Sequence, residues 1–236
     1  MRRSVALVIA GAVLLMAVTR LAAAEIERLG PCKPDAHDGL ICGTGDGAAR
    51  VIADTTSPSE RLALAWRTPG GPPTEQPDDD DIELLLIRLA DGAILAKRKG
   101  EYWDTGESHS NRKEEKAAWS RDSRLMVETF DTRFSTDGAT VYAIGADDKA
   151  STLDLIKIME PAVRAQLRRR VKSDEGYVFL VQRVGIDIRG RIRALVHLWV
   201  PKEGPFAAFL VTATVTRKGD ALAARIRAIR RSRQTL

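Results

Sequence analysis

Short apolar segments that alternate with turn residues are the feature of this chain that most restricts its fold. Residues 61–66 and 82–89 are apolar runs of strand length, and the Asp91-Gly92 pair after the second run predicts a tight hairpin into residues 93–96. The alternation recurs in residues 51–53, 117–119, 125–127, 141–144, 153–158, 177–184, 186–188, 191–200 and 206–216. The pattern predicts a chain built mainly from short antiparallel strands.

A single helix is predicted between the two groups of strands. Glu160-Pro161 marks its start, because proline suits the first helical position. Val163, Leu167 and Val171 then follow at helical spacing and form one apolar stripe. Residues 221–231 fit either a helix or a final strand, and the glycine turn before them favours the strand.

The first 24 residues have the layout of a secretory signal peptide. Arg2 and Arg3 precede an apolar run of 14 residues at positions 5–18, and small residues close the segment at 21–24. A run of this length is short for a bilayer span. We therefore expect an exported chain, periplasmic or secreted, with no stable membrane span once residues 1–24 are removed. Retention of the segment as an anchor is the alternative.

Charge is distributed unequally along the remaining 212 residues. Residues 25–150 contain 16 Lys and Arg against 25 Asp and Glu, whereas residues 151–236 contain 18 against 7. Such a split indicates two domains, or one domain with two charged faces. The halves can neutralise each other, or the cationic half can bind an acidic polymer, an anionic lipid or an acidic protein. Nucleic acid is not expected as a partner of an exported chain.

Cys32 and Cys42 are the two cysteines of the chain and are predicted to form a disulfide. An even pair at short spacing in an exported sequence is typical of such a bond, and turn-forming residues lie between the two. A metal site that adds His37 is the alternative, but the further ligands that a four-coordinate site requires are not evident in the sequence. Neither a metal nor another cofactor is predicted.

A polar turn that begins with serine and leads into an apolar strand occurs three times. The first two copies are Ser57-Pro58-Ser59-Glu60-Arg61-Leu62-Ala63-Leu64 and Ser120-Arg121-Asp122-Ser123-Arg124-Leu125-Met126-Val127, and the third begins at Ser135. These segments resemble the Ser-Pro-Asp-Gly turn of TolB-like and WD-type β-propeller blades, and residues 87–95 are similar to the outer hairpin of a blade. The resemblance covers about residues 50–160 and implies at most two blade-like units, fewer than a closed propeller requires.

These patterns together predict an α+β fold that is mostly antiparallel β, in which a blade-like β-meander is followed by one helix packed on an antiparallel sheet. The expected organisation is a signal peptide at 1–24, an irregular disulfide-containing segment at 25–50, a blade-like β region at 51–160 and an α+β region at 161–236.

No catalytic residues are predicted, because the sequence has neither a Gly-x-Ser-x-Gly elbow nor a His-Glu-x-x-His motif. An enzymatic alternative would lie in loop 101–115, where Trp103 and His109 stand among several acidic residues. Paired carboxylates carry out glycoside hydrolysis. A periplasmic hydrolase of a glycan or an ester is therefore the alternative function.

Arginine is concentrated in the last third of the chain and supplies a candidate binding surface. Arg189, Arg191 and Arg193 alternate along a predicted strand and are expected to point the same way. The guanidinium group suits bidentate binding of carboxylate or phosphate, although a basic surface can also serve only solubility. The sequence thus predicts an exported envelope binding or interaction protein without catalytic activity. Its cationic C-terminal face, with Trp103 and His109 as further candidates, would bind an envelope protein or an acidic polymer.

Overall fold

The computed structural model describes residues 26–35, 39–68, 81–100, 113–132, 135–168, 178–199, 207–219 and 221–233. Within these ranges the chain forms fourteen strands, one α-helix and a single turn of 3-10 helix at Gly45–Gly47. The strands form three antiparallel sheets. The predicted signal peptide lies outside the described residues.

The predicted α+β class is wrong, because the fold is mainly β. The described helical structure beyond the 3-10 turn is one helix of 13 residues, α1 (Ile156–Arg168). Strands are more numerous than the apolar pattern indicated, since residues 25–50, which were expected to be irregular, contain three short strands. Pairing with a neighbouring strand, rather than an apolar pattern of their own, holds these segments in extended form.

The first sheet is an antiparallel meander of six strands. In spatial order these are β1 (Cys32–Pro34), β2 (Leu40–Cys42), β3 (Ala49–Val51), β4 (Leu62–Arg67), β5 (Glu83–Arg88) and β6 (Ala93–Lys99). The chain that leads into β1 also pairs with the β5–β6 hairpin, where the Leu29 N–H donates to Gly92 O (3.0 Å) and the Cys32 N–H donates to Leu89 O (3.1 Å). This pairing covers backbone groups that an open sheet edge would expose.

The predicted disulfide is confirmed. Cys32 and Cys42 lie directly opposite each other on β1 and β2 and are joined. Cys42 is fully buried and packs with Ala65 and Leu85 in an apolar cluster of the first sheet. The bond therefore attaches a segment with few apolar residues to the core.

The second and third sheets are meanders of four strands each. The second sheet consists of β7 (Glu114–Trp119), β8 (Leu125–Asp131), β9 (Thr136–Ile144) and β10 (Ala150–Asp154). The third sheet consists of β11 (Val178–Ile186), β12 (Arg191–Trp199), β13 (Ala207–Lys218) and β14 (Ala221–Ser232). The final strand β14 confirms that residues 221–231 are extended.

The second sheet lies between the other two. Successive residues of β8 point to opposite faces: Met126 belongs to an apolar core with Leu64 and Leu86 of the first sheet, and Val127 belongs to a core with Val196 of the third sheet. Both faces of the middle sheet are therefore covered, which explains why β8 has adjacent apolar residues rather than alternating ones.

The helix closes the core that the second and third sheets share. Asp154 caps its first turn by accepting the Lys157 N–H (3.1 Å), and Met159 and Val163 are buried against the sheets. The helix starts before the predicted Glu160-Pro161 position, because Asp154 provides the cap and the proline lies within the helix.

The first two serine turns make the same hydrogen bonds. The Ser57 N–H donates to Leu62 O, and the Ser120 N–H donates to Leu125 O, both at 2.8 Å. In each turn the serine Oγ accepts the N–H of that same leucine, at 3.1 and 2.9 Å. The fourth residue of each turn has a left-handed backbone, with φ of 55° and 58°. The third segment differs, because Ser135 leads directly into β9.

Candidate binding face

The structure describes three of the five predicted binding residues. Arg191 and Arg193 lie on β12. Arg189 lies in the turn formed by residues 187–190, where Gly190 has a φ of 69°, so it does not share the strand with the other two as expected. Trp103 and His109 lie outside the described residues, as does most of the loop proposed for a hydrolase.

Arg193 belongs to the outer face of the third sheet, which points away from the second sheet. The even-numbered residues of β12 from Ile192 to Leu198 are buried in the shared core. Arg193 and Leu195 therefore point outward. Arg191 and Arg193 thus share this face, as their alternation along the strand predicted.

One row across the four strands of this face combines charge with apolar surface. The strand register places Arg183 of β11 opposite Leu195 of β12. It then places Leu195 opposite Leu210 of β13, and Leu210 opposite Arg230 of β14. Since neighbouring strands are about 4.8 Å apart, the two arginines are separated by about 14 Å with the leucine pair between them. Leu210 is 40% exposed.

A hollow of about 330 Å³ lies beside this row. Arg183 and Arg193 line it together with the leucine pair Leu195 and Leu210. Gly185 contributes no side chain, and no atom lies within 4 Å of the position that its Cβ would occupy. The hollow therefore offers two guanidinium groups and an apolar wall to a ligand that enters from solvent.

Asp187 neutralises part of the charge at one end of this face. Its carboxylate accepts the backbone N–H groups of Arg189 (2.9 Å) and Arg191 (3.0 Å), and Arg191 Nε donates to it at 2.7 Å. The guanidinium of Arg193 lies 3.7 Å away. The hydrogen bond from the Arg191 N–H, and then its side-chain bond, lower the pKa of Asp187 to about 2. Asp187 is thus ionised at neutral pH and engages Arg191 more closely than Arg193.

The last strand extends the cationic surface beyond the predicted residues. Arg225 lies opposite Thr214 on this face, and Arg227 donates from Nε to Thr214 Oγ1 at 2.9 Å. Asp187 is the sole carboxylate among the described residues of the third sheet and its turns. The face that sequence reasoning centred on β12 therefore spans all four strands.

His197 lies on the same face of β12 but is 1% exposed. Its Nε2 is 2.9 Å from Gln182 Oε1, and burial lowers the pKa of the imidazole. A histidine whose pKa is below its ordinary value is neutral at pH 7. Arginine, rather than this histidine, therefore supplies the positive charge of the described part of the face.

Two buried glutamates that sequence reasoning missed lie between the first and second sheets. Glu128 of β8 is fully buried and accepts hydrogen bonds from Arg98 Nε (3.1 Å) and the Tyr142 hydroxyl (2.8 Å). Glu115 of β7 lies 3.8 Å from the same guanidinium. Burial raises the pKa of Tyr142, which keeps its hydroxyl protonated as a donor. The group connects two sheets and both of its carboxylates are buried, so it fits a structural role better than a catalytic one.

Comparison with known proteins assigns no family: no family model matches the chain, and no curated protein is significantly similar to it. Among the described residues, no helix is long and apolar enough to cross a membrane, and no cluster of His, Cys, Asp or Glu is arranged to hold a metal ion. The fold and the surface thus define a mainly β protein of three antiparallel sheets, one of which has a cationic outer face.

Proposed function

We propose that this protein is an exported binding protein of the cell envelope that binds an anionic partner through the outer face of its third sheet. The observation that carries the proposal is the row of Arg183, Leu195, Leu210 and Arg230 with the open hollow beside it. A basic surface can serve only solubility, and the open hollow between the arginines is what favours binding here. Here the described positive charges are arginines and Lys218, with Asp187 as the one carboxylate.

The chemistry of the face supports an anionic partner rather than a second copy of the chain. The guanidinium group of arginine binds carboxylate and phosphate groups through two parallel hydrogen bonds. Two copies that met through this face would place like charges against each other, which opposes self-association. The disulfide supports an exported location, because such bonds persist in oxidising compartments.

The blade-like interpretation of the chain is also part of this proposal. The two serine turns with equal hydrogen bonds lie side by side, since the Ser59 N–H donates to Ser123 Oγ at 3.0 Å. The second sheet is a four-stranded meander, as propeller blades are. These features support a scaffold of blade-like sheets that presents an outer face for binding.

A crosslinked pull-down from an envelope extract tests the proposal. The bait is the protein without residues 1–24, beside a variant that carries Arg183→Ser, Arg193→Ser and Arg230→Ser. The matched control carries Arg61→Ser, Arg121→Ser and Arg124→Ser, which remove the same charge from exposed positions of the serine turns. We expect the parent and the control to capture an anionic partner and the face variant to lose it.

Equal capture by all three baits would show that the partner binds elsewhere than on the third sheet, and would contradict the proposal. Capture of nothing above background by the parent would also count against it and would favour the hydrolase alternative, which an activity screen on glycan and ester substrates would then address. Gly185→Trp provides a second measurement, because the side chain enters the hollow from an open position. It should weaken capture without removing charge.

A further inference from the structure

The hairpin between β11 and β12 ends in an exposed apolar residue. Ile188 is 89% exposed, and among the described residues it and Leu210 are the large hydrophobic side chains that stand open to water. Both belong to the third sheet: Leu210 lies in the arginine–leucine row, and Ile188 lies at the tip beside the hollow-lining Asp187. A single exposed apolar side chain is common on protein surfaces, but Ile188 stands beside a cationic sheet. An apolar residue next to cationic ones is a combination that binds the surface of an anionic bilayer.

Several backbone N–H groups of this tip have acceptors within the hairpin itself. The N–H groups of Arg189 and Arg191 donate to the Asp187 carboxylate, and the Gly190 N–H donates to Asp187 O at 2.8 Å. Polar backbone groups that already have partners can enter the edge of a bilayer at lower cost than unpaired ones. The N–H groups of Arg189, Gly190 and Arg191 therefore already have acceptors within the hairpin.

Positive charge outnumbers negative charge around the apolar tip, where the ionised Asp187 is the one described carboxylate. Arg189 follows Ile188 directly and is exposed, and Arg193 is two residues into β12. The neighbouring β13–β14 hairpin ends at the same end of the sheet and contributes Lys218. Long cationic side chains beside an inserted residue can reach lipid phosphates while their stems lie along apolar surface.

We propose that the tip of residues 187–190 docks on the surface of an anionic lipid bilayer, with Ile188 in the interface and the arginines of the third sheet on lipid phosphates. This inference rests on the proposed function and names its partner. Protein interfaces place their apolar residues at the centre of a patch within a polar rim. Ile188 instead projects from the end of the sheet, and an acidic glycan would leave it in water.

Vesicle co-sedimentation of the protein without residues 1–24 tests this inference, since the apolar leader would itself bind lipid. Vesicles of phosphatidylglycerol and phosphatidylcholine in equal parts are compared with phosphatidylcholine alone. We expect binding to the anionic vesicles that weakens with added salt. Ile188→Asp should lower the partition coefficient by about tenfold or more, from the loss of a buried isoleucine. Arg189→Ser, which removes the cation beside Ile188, should lower it by about fivefold.

Ile188→Trp should strengthen binding, because tryptophan favours the membrane interface. The control with Arg61→Ser, Arg121→Ser and Arg124→Ser should bind nearly as the parent does. It distinguishes the effect of net charge on binding from the effect of the third-sheet face. Ile188 is exposed, and unchanged thermal unfolding of its variants will show that they fold.

Absence of binding to anionic vesicles, or binding that Ile188→Asp leaves unchanged, would overturn the inference. If the pull-down then still captures an acidic protein or polymer through the arginines, the proposed function stands and the lipid assignment alone fails. Failure of both assays would refute the function as well.

Discussion

The ion pair between Arg98 and Glu128 should be a main link between the first and second sheets. Glu128 has no exposed surface, whereas the Arg98 side chain is 32% exposed. Glu115, 3.8 Å away, adds a second carboxylate to the same guanidinium. Arg98→Met removes the cation. The Tyr142 hydroxyl is then the remaining described side-chain partner of Glu128.

The magnitude follows from the burial of the carboxylate. Breaking a buried pair by removal of one partner costs about 3–5 kcal/mol, and the partial exposure of Arg98 favours the lower end. With an m-value of about 2 kcal/mol/M, a loss of about 3 kcal/mol lowers the urea midpoint by about 1.5 M. This would be a large part of a total stability of about 5–15 kcal/mol.

Urea unfolding followed by circular dichroism measures the effect. Lys97→Met is the matched control, because Lys97 lies on the same strand and pairs with Glu27 at 3.5 Å in solvent. An exposed pair of this kind contributes about 1 kcal/mol or less. Arg98→Met combined with Glu128→Leu should recover much of the loss, since no charge then stays buried. A midpoint for Arg98→Met that equals that of Lys97→Met would refute the reasoning.

Three further predictions concern the disulfide, the serine turns and the arginine face. Replacing Cys32 and Cys42 by serine should lower the free energy of unfolding by about 3 kcal/mol, measured by urea unfolding under oxidising conditions, because a short loop is no longer closed in the unfolded chain; an unchanged midpoint would contradict this. Ser57→Ala and Ser120→Ala should each cost about 1–2 kcal/mol in the same assay, and to a similar extent, since each leaves a leucine N–H without its Oγ acceptor. The carboxyl of Asp187 should titrate near pH 2 in an NMR experiment rather than at its ordinary 3.8. Its stabilising hydrogen bonds are therefore complete above pH 3.8 and lost as the pH falls through 2; a midpoint near 3.8 would show that the turn does not hold its carboxylate.

The strands with one covered face could be predicted from the sequence. Residues 191–194 alternate between arginine and apolar side chains because this part of β12 has one face in the core and the other toward solvent. The hairpin at Asp91-Gly92 was readable for a similar reason, since Gly92 has a φ of 65° that other residues rarely adopt. In both cases a local requirement of the backbone or the core determines which residues occur.

Features that depend on pairing between residues remote in sequence could not be predicted from it. The three short strands between Cys32 and Val51 are held by neighbours and a disulfide rather than by their own apolar pattern. A glutamate ordinarily faces water, whereas Glu128 is fully buried and its partner Arg98 is remote in sequence. The row that joins Arg183 to Arg230 depends on two irregularities in strand register, next to Arg183 and next to Thr212, which no spacing rule reveals.

The middle sheet has a consequence for the order in which the chain can fold. A chain that is exported in extended form emerges with its N-terminal residues first. The face of β8 and β9 that carries Val127 and Val141 acquires its cover only when β11, β12 and β13 have followed. Until then an apolar sheet surface stands in water, where it is prone to aggregate. Under the export proposed above, the protein should fold late and depend on holding factors in the receiving compartment, since the contacts that complete its core are distant in sequence.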